Sequence, residues 1–183
     1  MGPRAARQRV FKRYQANKNS DLSSVALVGG GVGIPPLYHF AQYFLKSGFI
    51  SKKNICVFLG ARRRSLLLCE KDFEKLDVDV KISTDDGSKG RKGFVTELLE
   101  DFLKDRGTPA TRIFTCGPTP MLKAVSIVSQ KYEVPCEVSV EVPMACGFGA
   151  CLGCAIEIDD LKGRRFAMAC TEGPVFQAKE VIW

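Results

Sequence analysis

The sequence is short of the residues on which several kinds of chemistry depend. It has one histidine, His39. No serine or cysteine constellation points to it, so it is read as a packed or surface residue. No apolar run is long enough to span a bilayer, which removes a membrane-spanning role. No apolar segment follows the basic start, so a secretory signal is not expected. Eight cysteines without a secretory signal belong in a reducing compartment, and a cytoplasmic protein is expected. The usual G-x-G-x-x-G dinucleotide fingerprint is absent, as are internal repeats and low-complexity linkers.

Acid is missing from the first 20 residues, which hold Arg4, Arg7, Arg9, Lys12, Arg13 and Lys18. This local imbalance accounts for nearly all of the net charge of +7. Taking those six from the 27 basic residues leaves near balance against the 20 acidic ones. No basic face remains to argue for a nucleic-acid partner. Residues 1–24 are read as a basic lead-in, flexible or remnant. A transit peptide is also Arg-rich and acid-poor, but this stretch is poor in serine.

What is present is an alternation of buried strands and amphipathic helices. "VALVGG" (25–30) is a continuous apolar run ending in glycine, as a buried parallel strand should be. "PPLYHFAQYFLKSG" predicts a helix with proline in its first turn and Gly48 just past its end. "NICVFLGA" (54–61) predicts a strand, "RRSLLLCEKDFEKL" a helix and "VDVKIST" (78–84) a strand. "GFVTELLEDFLKD" (93–105) predicts a helix with Phe94, Leu98, Leu99 and Phe102 on one face. "TRIFTCG" (111–117) predicts a strand, "TPMLKAVSIVSQKY" a helix and "CEVSVEV" (136–142) a last strand. Five strands alternating with helices imply an α/β, doubly wound parallel sheet over 25–142. After Val142 the composition changes. "CAIEI" and "RRFAMAC" predict two short strands joined at "DDLKGR", in a small second unit over 143–183.

Two turns suggest a nucleotide site. "VGGGVGIPP" places Gly29, Gly30, Gly31 and Gly33, with Val32 between them, where the first strand meets the first helix. Such a junction binds pyrophosphate because glycine lets the backbone approach and the helix start offers unpaired N–H groups. The spacing here is G-x-G-x-G-x-P, ending at Pro35. "TCGPTPM" makes a second small-residue turn after the fourth strand. In the common doubly wound strand order, strands one and four are neighbours, so the two turns would flank the crevice at the switch point, with Cys116 on its floor. A buried strand-end thiol is the plainer reading of Cys116. Asp85 or Asp86 would favour NAD over NADP by repelling a 2′-phosphate. Lys89, Arg91 and Lys92 lie close by and are read as an exposed charged loop. Arg62 is placed to reach a phosphate or ribose, or else to stand in solvent.

The densest chemistry is "MACGFGACLGCAIE" (144–157). Cys146, Cys151, Cys154 and Cys170 form C-x4-C-x2-C-x15-C, the plant-type [2Fe–2S] spacing. Three ligands on one tight loop wrap one side of a cluster and a distant fourth closes it. Gly147, Gly149, Ala150 and Gly153 let backbone N–H groups turn toward sulfur. Structural zinc also accepts four cysteines, but usually from two C-x2-C knuckles, and only one is present. Iron–sulfur is the preferred reading. Cys56, Cys69 and Cys136 lie in strand or helix patterns and read as core.

Together, "VALVGGGVGIPPLY", "TDDGSKGRKGFVTELL", "FTCGPTPMLKAV" and "MACGFGACLGCAIEI…CTEGPVFQAKEVIW" resemble the electron-transfer subunit of type B dihydroorotate dehydrogenase, within the ferredoxin–NADP reductase superfamily. The resemblance runs from Val25 to Trp183. It implies a [2Fe–2S] cluster on Cys146, Cys151, Cys154 and Cys170, and NAD pyrophosphate on the turn 29–33. Cys116, Gly117 and Pro118 would border the nicotinamide, with Met121 next to them. It also implies an FMN-containing catalytic subunit as partner, in pyrimidine (UMP) biosynthesis, with FAD between cluster and NAD. Members carry an N-terminal β-barrel that binds FAD through an R-P-x-[ST] motif. That motif is missing here, and the chain is read as lacking the barrel, so FAD is not expected on this chain alone. Two further readings stay open: a subunit of a hydrogenase or of another ferredoxin–NAD(P) oxidoreductase, and a non-enzymatic redox- or nucleotide-sensing module.

Overall fold

The computed structural model describes residues 23–106 and 111–183. The basic lead-in expected over 1–24 falls outside them as far as residue 22, and Ser24 already opens the first strand.

Strand β1 (Ser24–Gly30) is followed by a single 3-10 turn, Gly31–Gly33, and helix α1 (Ile34–Ser47). Pro35 and Pro36 suit the first turn of α1 because their missing N–H groups would have no helical partner there. Gly48 closes α1 in the left-handed region at φ 66°. Strand β2 (Ile55–Ala61) leads to the short helix α2 (Glu70–Lys75) and to β3 (Asp79–Thr84). A two-residue strand, β4 (Arg91–Lys92), precedes α3 (Val95–Arg106). Then come β5 (Thr111–Cys116), α4 (Thr119–Lys131) and β6 (Cys136–Ser139). The hairpin β7 (Ala155–Asp160) and β8 (Gly163–Met168) and the short β9 (Val175–Gln177) complete the chain.

The main sheet has the order β4-β3-β2-β1-β5-β6-β9, and every pair in it is parallel except β6–β9. The α/β class and the parallel pairing of the five expected strands agree with the sequence, but among the described residues the sheet has seven strands, not five. The two additions span two and three residues, too few to display any hydrophobic period. One apolar layer packs α1 and α2 on one face, around Leu27, Phe44 and Phe73. The other packs α3 and α4 on the opposite face and runs on into the C-terminal segment, through Cys154, Ile158 and Phe176. Fully burying a phenylalanine such as Phe44 or Phe58 contributes on the order of 2–3 kcal/mol, so these layers fix the sheet.

Three expectations need correction. The long helix read across "RRSLLLCEKDFEKL" is a 3-10 turn at Arg64–Leu66 and a six-residue helix, separated by Cys69 in the left-handed region. Leu66 and Leu68 are exposed, because three successive leucines cannot share one narrow helical stripe. Cys69 accordingly caps a helix at partial exposure and packs against the edge of the core, whereas Cys56 and Cys136 are buried within it. Phe94 stands just before α3 with its ring exposed, while Val95, Leu99, Phe102 and Leu103 take the buried stripe. The last expected strand stops at Ser139. Beyond it the Val140 N–H donates to the Pro174 carbonyl at 3.0 Å.

Candidate functional site

Two sites follow from this frame. The first is a cleft of about 600 Å³ at the carboxyl ends of β1, β2 and β3 and the start of α3 and α4. Because β1 and β5 are neighbours, the 29–33 turn and the 117–121 turn meet as the strand order required. Their packing is tight. A Cβ at Gly33 would overlap the Cys116 carbonyl, and one at Gly30 would lie 2.7 Å from Met121 Sδ. These glycines therefore serve backbone-to-backbone approach as well as any ligand. Gly31, at φ 52°, is the one whose missing Cβ faces open space.

Of the residues singled out from the sequence, Gly30, Gly31, Arg62, Asp85, Pro118 and Met121 line this cleft. Gly29, Val32, Gly33, Pro35, Cys116 and Gly117 do not. Gly29 and Gly33 turn inward against α1 and Cys116, while Val32 and Pro35 are exposed. Cys116 is buried at the end of β5, and burial pushes its thiol above the ordinary range, against a hydrogen bond from Ser139. It stands at neutral pH as a thiol.

The sequence reading passed over Gly60, Leu66, Phe94 and Thr96, which also line the cleft. Phe94 had a legible signal. Glu97 lies three residues on, and its Oε1 accepts the Phe94 N–H at 3.1 Å, half of a capping box that makes Phe94 the N-cap and not a buried helical residue. The loop from β3 to α3 is well tied. Thr84 Oγ1 donates to the Lys89 carbonyl at 2.8 Å and accepts the Lys89 N–H at 3.0 Å. The Ser88 hydroxyl holds the Asp86 carboxyl below the usual carboxylate range, donating at 2.6 Å.

The second site is the cysteine loop. Backbone N–H groups of Cys151 and Phe148 point at Cys146 Sγ and, with the Cys151 thiol, lower its pKa to about 6. Cys154 Sγ accepts the Cys170 N–H at 3.5 Å, and the Cys170 thiol is pushed up, first by its hydrogen bond with Cys154. Cys146 thus lies beside Cys151 and Cys154 beside Cys170, and Cys146 also acts on Cys170. Among the described residues no three potential ligands converge on one metal-sized point. A donor set of four thiols, two of them buried, with backbone N–H groups already aimed at sulfur, fits an iron–sulfur cluster.

Comparison with known proteins bears on both sites. Residues 27–126 match the oxidoreductase NAD-binding domain family. The chain belongs to that family. Residues 141–182 match the iron–sulfur cluster binding domain of dihydroorotate dehydrogenase B. The chain therefore joins a nicotinamide-nucleotide domain to an iron–sulfur-binding one, and the resemblance drawn from the sequence is borne out. A relative from Caldanaerobacter subterraneus, named the electron transfer subunit of dihydroorotate dehydrogenase B (NAD(+)), is 40% identical over 87% of this chain and 59% of its own length. A homologue of that subunit in Aquifex aeolicus is 39% identical over 96% of this chain and 61% of its own length. The chain thus spans about three fifths of the curated relatives it matches. Among solved structures, an NADH-dependent reduced ferredoxin–NADP oxidoreductase, described in work on flavin-based electron bifurcation, superposes with a TM-score of 0.73. It is 32% identical over 90% of this chain and 55% of that one. The NAD-binding and iron–sulfur-binding domain expectations stand. Among the described residues no helix is long and apolar enough to cross a membrane.

Proposed function

We propose that this chain carries electrons between an iron–sulfur cluster on its cysteine loop and a nicotinamide nucleotide in its cleft. It would do so as the electron-transfer part of an NAD-linked complex whose FMN-containing catalytic subunit oxidises dihydroorotate, in the cytoplasm. The observation that carries the reading is the union on one chain of an iron–sulfur-binding segment and a nucleotide cleft at a strand-order switch point. When bound, a [2Fe–2S] cluster exchanges single electrons while a nicotinamide takes two as hydride, with flavin matching the two.

The chain's own residues supply the rest. Cys146, Cys151, Cys154 and Cys170 would hold the cluster through their thiolates. A single zinc would need all four about one point. The N–H groups around Cys146 stabilise negative charge on sulfur and so bear on the potential. In the cleft, Gly30 and Gly31 and the start of α4 receive the pyrophosphate, Arg62 adds a cation, and the exposed Phe94 ring offers a stacking face for the adenine. Pro118 closes the nicotinamide end, with Cys116 and Gly117 behind it. The working division is a nucleotide unit over 25–142 and a cluster unit over 143–183, with FAD held outside the stretch that this chain spans.

The test is the visible spectrum of anaerobically purified protein before and after dithionite. Broad absorbance that bleaches on reduction is expected. Zinc by metal analysis, with failed reconstitution by iron and sulfide, would overturn the reading. The likeness to the ferredoxin–NADP oxidoreductase favours one alternative, in which the partner is a different NAD(P)-linked iron–sulfur flavoprotein. Affinity capture separates the two, because an FMN-containing partner supports the first and a ferredoxin the second.

A further inference from the structure

Of the four cysteines, Cys170 is the one that no local spacing holds. The other three share one loop, whereas Cys170 lies two residues past the end of β8. It is nevertheless buried and tied to that loop at two places. Its N–H donates to Cys154 Sγ at 3.5 Å, and the Gly149 N–H points at its own sulfur. The turn that carries it is closed twice. The Glu172 N–H donates to the Met168 carbonyl at 2.8 Å, and Glu172 Oε1 accepts the Met168 N–H at 3.1 Å. Cys170 is the middle residue of the ring so formed. The other oxygen of Glu172 accepts from Arg165 Nη1 at 2.7 Å. Arg165 spends the rest of its fork on Asp160 at the end of β7, with Nη2 at 2.8 Å and Nε at 3.2 Å from Oδ2.

Arg165 is an unusual residue for its place. Strand alternation puts it on the same face of β8 as buried Ala167, and it stands opposite buried Ile158 on β7. An apolar side chain would suit that face, and a charge there has to be paired. Ion pairs that keep contact with solvent add little to stability, so folding alone does not account for this one. We propose that Arg165 and Glu172 are positioning residues for Cys170. The arginine fork holds the carboxylate, and the carboxylate holds the turn that presents the thiolate to the cluster. Arginine suits the task because its fork meets two carboxylates in fixed directions, which a lysine ammonium does not. The inference rests on the reading of the cysteine loop as an iron–sulfur site.

The full chain, reconstituted anaerobically with iron and sulfide, tests it. Arg165→Met, Glu172→Ala and Glu172→Gln are compared with the wild type and with Arg164→Met. Arg164 pairs with Glu157 on the opposite face of the same hairpin and leads to no cysteine, so it serves as the control. Three quantities are read: the rate of iron loss to a chelator, the electron paramagnetic resonance g values after dithionite, and the urea midpoint of the apoprotein. Arg165→Met and Glu172→Ala are expected to lose iron about tenfold faster, with shifted g values and an unchanged apoprotein midpoint. Glu172→Gln still accepts the Met168 N–H and should show a smaller acceleration, and it guards against misfolding of Glu172→Ala. Wild-type release rates and g values in folded Arg165→Met and Glu172→Gln overturn the proposal and leave the cluster reading standing. An equal acceleration in Arg164→Met also overturns it, because the effect would then belong to the hairpin as a whole. A wild type that takes up no iron overturns the cluster reading and this inference with it.

Discussion

Gly33 shows how one residue can answer to two demands. From the sequence it is part of a phosphate-binding turn; in the structure its missing side chain is what lets the first turn touch the backbone of Cys116. Gly33→Ala should therefore unfold the protein more easily, by about 3 kcal/mol, because backbone atoms on both sides cannot yield. Gly31→Ala has open space and meets only the cost of a left-handed backbone, about 1 kcal/mol. Urea unfolding of the two variants checks the ranking. Equal losses would mean that the contact at Cys116 is not a constraint. The cysteine loop was more legible, because ligand spacing along a short loop is a local property. The pairing of sulfurs was not, since Cys170 comes to Cys154 only when β8 turns back on β7.

At the scale of elements, α3 separates periodicity from position. Its apolar residues fit a helical stripe, but the register of that stripe depends on where the helix begins. Glu97 sets the start by accepting the Phe94 N–H, and this moves Phe94 from the core to the cleft. Phe94→Ala is expected to change stability by less than about 0.5 kcal/mol while weakening NADH binding, whereas Phe102→Ala should cost about 3–5 kcal/mol. Thermal unfolding and nucleotide titration of the two variants read these effects separately. A large stability loss in Phe94→Ala would return that ring to the core. The same comparison explains the failed helix at "RRSLLLCEKDFEKL". Its residues have adequate helix propensity, but Leu67, Phe73 and Leu76 find apolar cover while Leu66 and Leu68 do not, and the chain breaks at Cys69.

At the scale of the whole molecule, the C-terminal segment is not merely appended. β9 adds to the edge of the main sheet beside β6, and Phe176, Ile158 and Cys170 share an apolar layer with Val28 and Val125. Trp183 packs against the same layer and is the only tryptophan in the chain. Its fluorescence therefore reports on the C-terminal segment, while far-UV circular dichroism reports mainly on the helices. The two signals should unfold in urea with coincident midpoints, as one cooperative unit. An earlier fluorescence transition would show that the cluster-binding segment melts on its own.

The sequence by itself determined the alternation of strands and helices, the parallel pairing of five strands, the two turns at the switch point and the four-cysteine loop. Each of these is written in residues close together along the chain, as a period, a glycine or a ligand spacing. Only the tertiary structure decided the rest. It added β4 and β9, too short to carry a period of their own. It put Phe94 in the cleft and Cys116 behind it, through a cap and a strand end. It also brought Asp101 and Glu97 onto Arg91, across the turn from β4 into α3. These depend on which groups meet across the fold, and burial, capping and ion pairing settle that only once the sheet has closed on its helices.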